Sequence, residues 1–339
     1  MTRNVEANPA LSVIIITPDS FETVRQLVRC LTRQSVRGQI ELIIMAPSEA
    51  RVDVDEVLVA PLAGARVIPV PSVHPTGPVR AAGVRASRAP VVVFAEEHSF
   101  PASGWAEALI AAHRNNYAAV GPAVRNANPD TLVSWADLFI GYGPWLAPTA
   151  AREMDFLPGH NSSYKRSVLL EYGDRLDTLM EAETVLQWDM RKKGHRLFLE
   201  PAAQTAHTNF GLWSSWVPVM YLAGRAFADT RAKGWPVGRR LAFTLASPAI
   251  PLVRLLRVVR DARRAGQRWP FILGVLPTLA IGLILDGVGQ LAGYAFGAGG
   301  THAKLAKYEW HRMRHTPAGK NASSERMHVT PRAEGSHAD

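Results

Sequence analysis

The sequence predicts an α/β protein: a doubly wound, mostly parallel sheet with flanking helices, followed by a helical region rich in apolar and basic residues. Three observations lead there. Continuous apolar runs at residues 11–16 and 91–94 read as strands buried on both faces. Stretches with apolar residues at helical spacing separate such runs, and that alternation implies right-handed crossovers between parallel strands. After Gly211 the pattern changes to long apolar stretches flanked by arginines.

Each element follows from its local pattern. Leu11-Ser12-Val13-Ile14-Ile15-Ile16 is a β-branched run ended by Thr17-Pro18-Asp19-Ser20, a strand and then a loop. Val24, Leu27, Val28 and Leu31 recur at helical spacing between Phe21 and Arg33. Residues 40–45 form a second strand and 65–70 a third. A short helix over 79–87 leads into the strand at 91–94. Residues 103–115 are helical, with Trp105, Leu109 and Ile110 as the apolar side. Residues 126–151, with Trp135, Phe139, Tyr142 and Trp145, read as an aromatic-rich loop. A helix is expected from Ala182 to Lys193, ended by Gly194 as a left-handed cap. A short strand at 197–199 follows.

Composition narrows the function classes. The net charge of +9 favours phosphorylated ligands, anionic lipid or nucleic acid. Lys and Arg concentrate at 225–268 and 304–314, beside apolar stretches, which suits an anionic membrane surface. No zinc-finger, RRM or basic-zipper pattern is present, so no nucleic-acid partner is expected. The lone Cys30 excludes an intrachain disulfide and a cysteine metal cluster. Residues 1–6 show no signal-peptide apolar region, which places the catalytic part in the cytoplasm. Residues 241–253 are too short to span a bilayer, and 270–298 reach that length only by tolerating Asp286 and several glycines. The expected arrangement is interfacial helices plus a re-entrant or single-spanning segment, on the cytoplasmic face of the cell membrane. Trp213, Trp216 and Trp235 would sit at headgroup level, with core packing as the alternative. From Thr316 onward the tail reads as disordered.

Two polar stretches carry the chemistry. Ligands of such sheets bind beyond the carboxyl ends of strands. Glu96-Glu97-His98 lies at such an end, where acids suit a hard divalent cation that would clamp a diphosphate. A solvated turn is the alternative reading. The second stretch, Glu181-Ala182-Glu183, opens the expected helix, and His207 lies downstream.

Further motifs complete the pattern: Leu11 to Pro18, Glu41 to Ile44, Arg80-Ala81-Ala82-Gly83, Phe94 to Trp105, Gly159-His160-Asn161 with Arg166, and Ala182-Glu183…Leu186…Gly194…Pro201…His207. In this order, over residues 11 to 210, they resemble glycosyltransferase family 2, the inverting transferases of the GT-A fold. The resemblance implies roles residue by residue. Glu183 matches the catalytic base, with Glu181 as the nearby fallback. Glu97 and His98 match positions that approach a metal-bound diphosphate, and His207 a late histidine completing the metal site. Thr17, Asp19, Arg80 and Glu96 fall on the donor side. Gly159, His160 and Asn161 would line the acceptor pocket.

The departures from that pattern bear on cofactor and donor. Glu96 and His98 stand where the acidic triplet usually begins and ends in Asp, which favours Mn²⁺ over Mg²⁺. A metal-independent reaction, with protein cations meeting the phosphate charge, stays open. Met45-Ala46-Pro47-Ser48 replaces the Asp that usually reads the base. The expected activity is transfer of a sugar from a nucleotide-sugar donor to a lipid-linked or cell-surface glycan acceptor, with inversion. A non-catalytic GT-A-like binding or scaffold protein is the alternative, and a sugar-phosphate nucleotidyltransferase ranks behind it. The expected organisation is an N-terminal arm (1–10), a GT-A domain (11–211), a membrane-associated helical region (212–300) and a basic segment with a tail (301–339). Oligomeric state is left open.

Overall fold

The sheet starts from the β-branched runs. β1 (Leu11–Ile16), β2 (Ile40–Pro47), β3 (Gly64–Val70) and β4 (Val91–Ala95) pair in parallel in the order β3-β2-β1-β4. Every residue of β1, β2 and β4 is buried, as strands covered on both faces must be. The structure, a computed structural model, describes residues 8–318. Residues 1–7 of the expected arm and 319–339 of the expected tail lie outside the described residues. Helix α1 (Phe21–Thr32) packs with Leu11, Val13 and Ile15 on one face of the sheet. Helix α2 (Thr76–Ala86) packs with Ile14 and Ile16 on the other, so the sheet is doubly wound. Glu41 is fully buried in β2, where Ser12, Arg66 and Arg88 all donate to its carboxylate.

Beyond β4 the sheet is mixed rather than mostly parallel. β5 (Ser99–Pro101), β6 (Ala119–Asn126), β7 (Arg152–Met154), β8 (Ser163–Lys165) and β9 (Leu197–His207) extend it in the order β4-β8-β6-β9-β5, with β7 on β9. β8 runs antiparallel to β4 and β6, while β6 and β9 are parallel. No helical crossover precedes β8; a loop delivers it, so parallel pairing is not imposed. The strand expected at 197–199 continues past an irregularity at Pro122/Ala123 of its partner as far as His207. There it pairs His207 with Ser99, bringing the distant histidine beside His98.

The helices that matter to the site come next. α3 (Trp105–Ala112) covers the sheet. α4 (Leu132–Tyr142) occupies the stretch expected to be loop. Thr131 caps it through its hydroxyl, and its aromatic residues are core: Trp135 and Phe139 meet Phe271 edge-on. α5 (Glu183–Lys192) is ended by Gly194 at φ +85°, the expected left-handed position. A C-terminal bundle follows: α6 (Trp213–Arg231), α7 (Val237–Ala246), α8 (Ile250–Arg264), α9 (Trp269–Phe296) and α10 (Thr301–Glu309). Trp216 is wholly buried and donates to Asp137, so it is a core residue and not a headgroup residue.

The glycines and the acid of α9 have structural partners. A Cβ on Gly289 or Gly293 would run into the carbonyls of Tyr221 and Arg225, and one on Gly224 into the backbone of Asp286. The small residues therefore let α6 and α9 approach backbone to backbone. Asp286 is buried and paired with Arg254 of α8. Two stretches, Val237–Arg264 and Trp269–Phe296, are long and apolar enough to cross a membrane.

Candidate active site

The carboxyl end of β4 and the end of β9 create a cluster of one carboxylate and two imidazoles. Glu96 Oε2 lies 3.3 Å from His98 Nε2 and 3.6 Å from His207 Nε2. One ligand atom from each of the three falls within 4.8 Å of the others. His207 Nδ1 is 2.9 Å from Asn209 Oδ1, which fixes the ring with its Nε2 lone pair toward Glu96. Glu97 Oε1 lies 3.1 Å from His98 Nδ1, the opposite ring nitrogen. The structure thus groups Glu96, His98 and His207, with Glu97 behind His98. Glu96 Oε2 and His98 Nε2 are buried without hydrogen-bond partners. Burial pushes His207 down to about 4, with His98 adding to the effect, so its ring is neutral at pH 7. Burial alone would raise Glu96; His160 and His98 outweigh it and hold the carboxyl well below its usual range. An ionised carboxylate beside a neutral imidazole, with orphaned donor atoms converging, fits a divalent cation.

A second group adjoins the first. His160 Nδ1 lies 2.8 Å from Glu96 Oε1 and 4.0 Å from Glu183 Oε1. Burial opposes its charge, yet Glu96 and then Glu183 raise His160 above the ordinary imidazole value. Glu183 is the first residue of α5, where the helix dipole favours a carboxylate. It is 8% exposed, not the solvent-facing helix acid that periodicity alone would allow. Arg80 lies 2.5 Å from Glu183 Oε1 and donates to the carbonyl of Met180. Gly159 faces the same carboxylate: a Cβ there would sit 3.0 Å from Glu183 Oε2.

Other expected residues have structural partners. Glu181 accepts from Gly77 N and Thr76 Oγ1, closing the N-terminus of α2, although it still lines the cavity beside Glu183. Asn161, at φ +61°, donates its backbone N–H to Phe94 O and its amide to Ser99 Oγ, tying the loop to β4. Thr17 and Asp19 shape the turn into α1: Thr17 Oγ1 donates to Ser20 O, and Asp19 accepts from Ser20 N and Thr23 Oγ1. Arg80 and Glu96 line the cavity over the sheet; Thr17 and Asp19 are not among its lining residues.

Two cavities meet at this centre. One, of about 780 Å³, lies over β1 and β4 and includes Arg80, Glu96, Glu183 and Trp310. The other, of about 1040 Å³, runs between α4, α6 and α8 and includes Tyr142, His207, Arg257 and Arg312. Glu96, His160 and Glu309 line both. The C-terminal segment closes the first: Trp310 Nε1 lies 2.6 Å from His74 Nε2, and His311 Nε2 lies 3.0 Å from Asp19. Arg312 is 5% exposed and pairs with Glu309. Sequence reasoning missed Glu309, Trp310 and Arg312, because a basic stretch near the end reads as solvated surface. It also missed Tyr142, whose ring lies 4.5 Å from that of His207.

Residues 12–173 match the family model described as glycosyl transferase family 2. The chain carries a glycosyl transferase family 2 domain. One solved structure shares the fold, and two others are more distantly similar. The mannosyltransferase PcManGT from Pyrobaculum calidifontis, in complex with GDP-Man and Mn²⁺, is 14% identical with a TM-score of 0.50, over 84% of this chain and 87% of that one. TarS 1–349 of S. aureus is 14% identical with a TM-score of 0.44, over 87% of this chain and 91% of that one. GalNAc-T7 with UDP, GalNAc and Mn²⁺ is 13% identical with a TM-score of 0.45, over 59% of this chain; this chain spans 43% of that one. At such identities the likeness is one of fold. No curated protein matches the chain significantly. The match over residues 12–173 assigns the chain to the glycosyltransferases.

Proposed function

We propose that the protein transfers a sugar from a nucleotide-diphosphate donor to an acceptor hydroxyl with inversion, using Glu183 as the base. The observation that carries this reading is the junction of the two cavities at Glu96 and His160, with Glu183 4.0 Å from His160. The donor would occupy the cavity over β1 and β4, its diphosphate toward Glu96, His98 and His207. The acceptor would arrive through the second cavity. PcManGT was solved with GDP-Man and Mn²⁺, and this chain shares its fold, which supports a nucleotide sugar and Mn²⁺ here. A cation held by Glu96, His98 and His207 would supply charge stabilisation to the departing diphosphate.

The chain's own groups do the rest. Glu183 accepts the proton of the acceptor hydroxyl as its oxygen attacks the anomeric carbon. Arg80 holds one oxygen of Glu183, leaving Oε2 beside Gly159 as the accepting atom. Gly159 supplies backbone without a side chain, so the acceptor can approach that oxygen. His160, raised toward its charged form, faces the junction and meets negative charge from the donor side. Nucleotide-sugar hydrolysis with and without Mn²⁺, in wild type and Glu183→Gln, tests the reading. Metal-stimulated turnover lost in Glu183→Gln is expected; equal background rates throughout would favour a non-catalytic binding domain.

We also propose that α7 and α8 lie on the cytoplasmic face of the membrane. Leu241, Leu245, Leu252 and Leu256 are each more than half exposed, and arginines flank them. α9 packs its glycine-rich side on α6 and keeps Asp286 buried with Arg254, which supports a helix seated in the bundle with one apolar face outward. An acceptor carried on a lipid would meet the site from that side.

A further inference from the structure

Of the residues that line both cavities, Glu96, His160 and Glu309, the first two are already engaged with each other. Glu96 directs Oε2 to His98 and His207, and Oε1 to His160, 2.8 Å away. Glu309 is different. It is the last residue of α10, where the negative end of the helix dipole disfavours a carboxylate, so the helix gains nothing from it. Arg312 bonds its Oε2, while its Oε1 has no partner among the described residues. The side chain is 38% exposed, so that oxygen is reachable from the cavities. Arg312 is itself fixed. Its guanidinium lies 3.8 Å over the Phe210 ring and 3.9 Å from Asp137, and Asp137 accepts from Phe210 N and Trp216 Nε1. The turn that follows is tied down too: Ser215 Oγ lies 2.8 Å from His315 Nδ1, and Gly211 N donates to His315 O. A braced carboxylate thus faces the junction with one oxygen free.

The junction has a definite meaning for the proposed transfer. The diphosphate departs into the first cavity and the hydroxyl attacks from the second, so the transferred sugar lies between them, where the cavities meet. An ionised carboxylate only accepts hydrogen bonds, and hydroxyls are the donors a sugar ring presents. The same charge repels a diphosphate, which sets Glu309 against the neutral part of the donor. Glu309 is not in the group of Glu96, His98 and His207 that could hold a cation. We propose that Glu309 accepts a hydrogen bond from a hydroxyl of the transferred sugar, with Arg312 as the residue that positions it. This deepens the proposed function and rests on that reading. It also gives a substrate contact to a segment outside residues 12–173, the stretch that matches the family model.

The test is Mn²⁺-dependent hydrolysis of UDP-glucose, UDP-N-acetylglucosamine and GDP-mannose by the purified full chain, without acceptor. The best donor is carried into Glu309→Gln and Glu309→Ala. The matching nucleoside diphosphate, UDP or GDP, serves as inhibitor, and a melting curve reports folding. Glu309→Gln keeps an oxygen for Arg312 and loses the charge. The expected loss in kcat/KM is about 10-fold for Gln and about 100-fold for Ala, the range of a hydrogen bond to a charged group. The inhibition constant of the nucleoside diphosphate should change less than about two-fold, because that molecule lacks the sugar. Unchanged kcat/KM in both variants would overturn the proposal. So would a parallel loss of nucleoside diphosphate inhibition, which marks a role in holding Arg312 only. Wild-type hydrolysis at background for every donor, with and without Mn²⁺, sinks the transferase reading itself. Mn²⁺-stimulated hydrolysis that is lost in Glu183→Gln but intact in both Glu309 variants sinks this inference alone.

Discussion

Replacing Gly159 with Ala tests whether the base is held where the structure places it. The added methyl carbon would lie 3.0 Å from Glu183 Oε2 and 3.3 Å from its Cδ. Gly159 is not at positive φ, so its backbone accepts alanine without strain. Relief must come from Glu183, and Arg80 at 2.5 Å restrains the other oxygen. The carboxylate has to shift by a few tenths of an ångström or leave Arg80. A displacement near 1 Å costs roughly 100-fold in rate, so a smaller one should lower kcat about 10-fold. Donor KM should change less than about two-fold, because the methyl group points at the base and away from the cluster of Glu96, His98 and His207. Steady-state kinetics on the full chain, with a melting curve to show intact folding, measure this. Glu183→Asp withdraws the carboxylate by one methylene and lowers activity by itself. In the Gly159→Ala background it should cost less, because the methyl group then has room. A coupling of about 1 kcal/mol in the double-mutant cycle is expected. Wild-type kcat in Gly159→Ala, or strict additivity of the two changes, would refute the assignment of Glu183 Oε2 as the accepting atom.

The other predictions bear on metal, pH, the C-terminal segment and the membrane. Asn209→Ala should weaken Mn²⁺ binding about 10-fold by freeing the His207 ring, while His98→Ala should abolish it, as read by Mn²⁺ electron paramagnetic resonance titration. His113 is buried against Ser163 and pushed down to about 4, burial being the main cause and Lys165 next. Its folded value lies below the unfolded value of 6.5, so the neutral ring's stabilisation is complete above pH 6.5 and is lost as pH falls toward 4. The loss is at most about 3 kcal/mol, and urea midpoints across that range should fall less steeply in His113→Gln. Arg312→Met leaves Asp137 buried without its cation and should cost about 3 kcal/mol of stability, readable by chemical denaturation. Leu245→Glu with Leu252→Glu should release the full chain from anionic vesicles in a flotation assay without lowering its melting temperature, because both side chains are exposed.

The parts of this molecule legible in the sequence are those where one local pattern decides the outcome. β4 is a continuous apolar run, β1 and β2 depart from one only at the paired Ser12 and Glu41, and Gly194 ends α5 as a left-handed cap. α4 is hidden because its aromatics suggest a loop, although Thr131 caps it and Val133, Ala136, Leu138 and Phe139 are buried. The length of β9 was hidden because Pro201 interrupts the run, while the pairing of Ser99 with His207 is a long-range consequence of the sheet. Glu96, and not Glu97, faces His98 Nε2 and His207. Two adjacent acids in a loop give no periodicity to choose between them. Trp216 illustrates the limit of composition: a tryptophan near arginines suggests a membrane surface, yet its partners are Asp137 and Gly282.

The C-terminal segment explains why the site needs the whole described chain. Asp137 accepts from Phe210 N and Trp216 Nε1, and Arg312 lies 3.9 Å from it. One carboxylate therefore joins α4, the segment after β9, α6 and the segment after α10. Glu309, bound to Arg312, is one of three residues at the junction of the cavities. Removing everything after residue 237 would strip α9 from α6 and take Arg312 from Asp137, leaving buried backbone and a buried charge exposed to rearrangement. Truncation is thus a poor probe of membrane attachment here, since it would disturb the junction as well. Surface substitutions on α7 and α8 separate the two, because their exposed leucines are not among the residues lining either cavity.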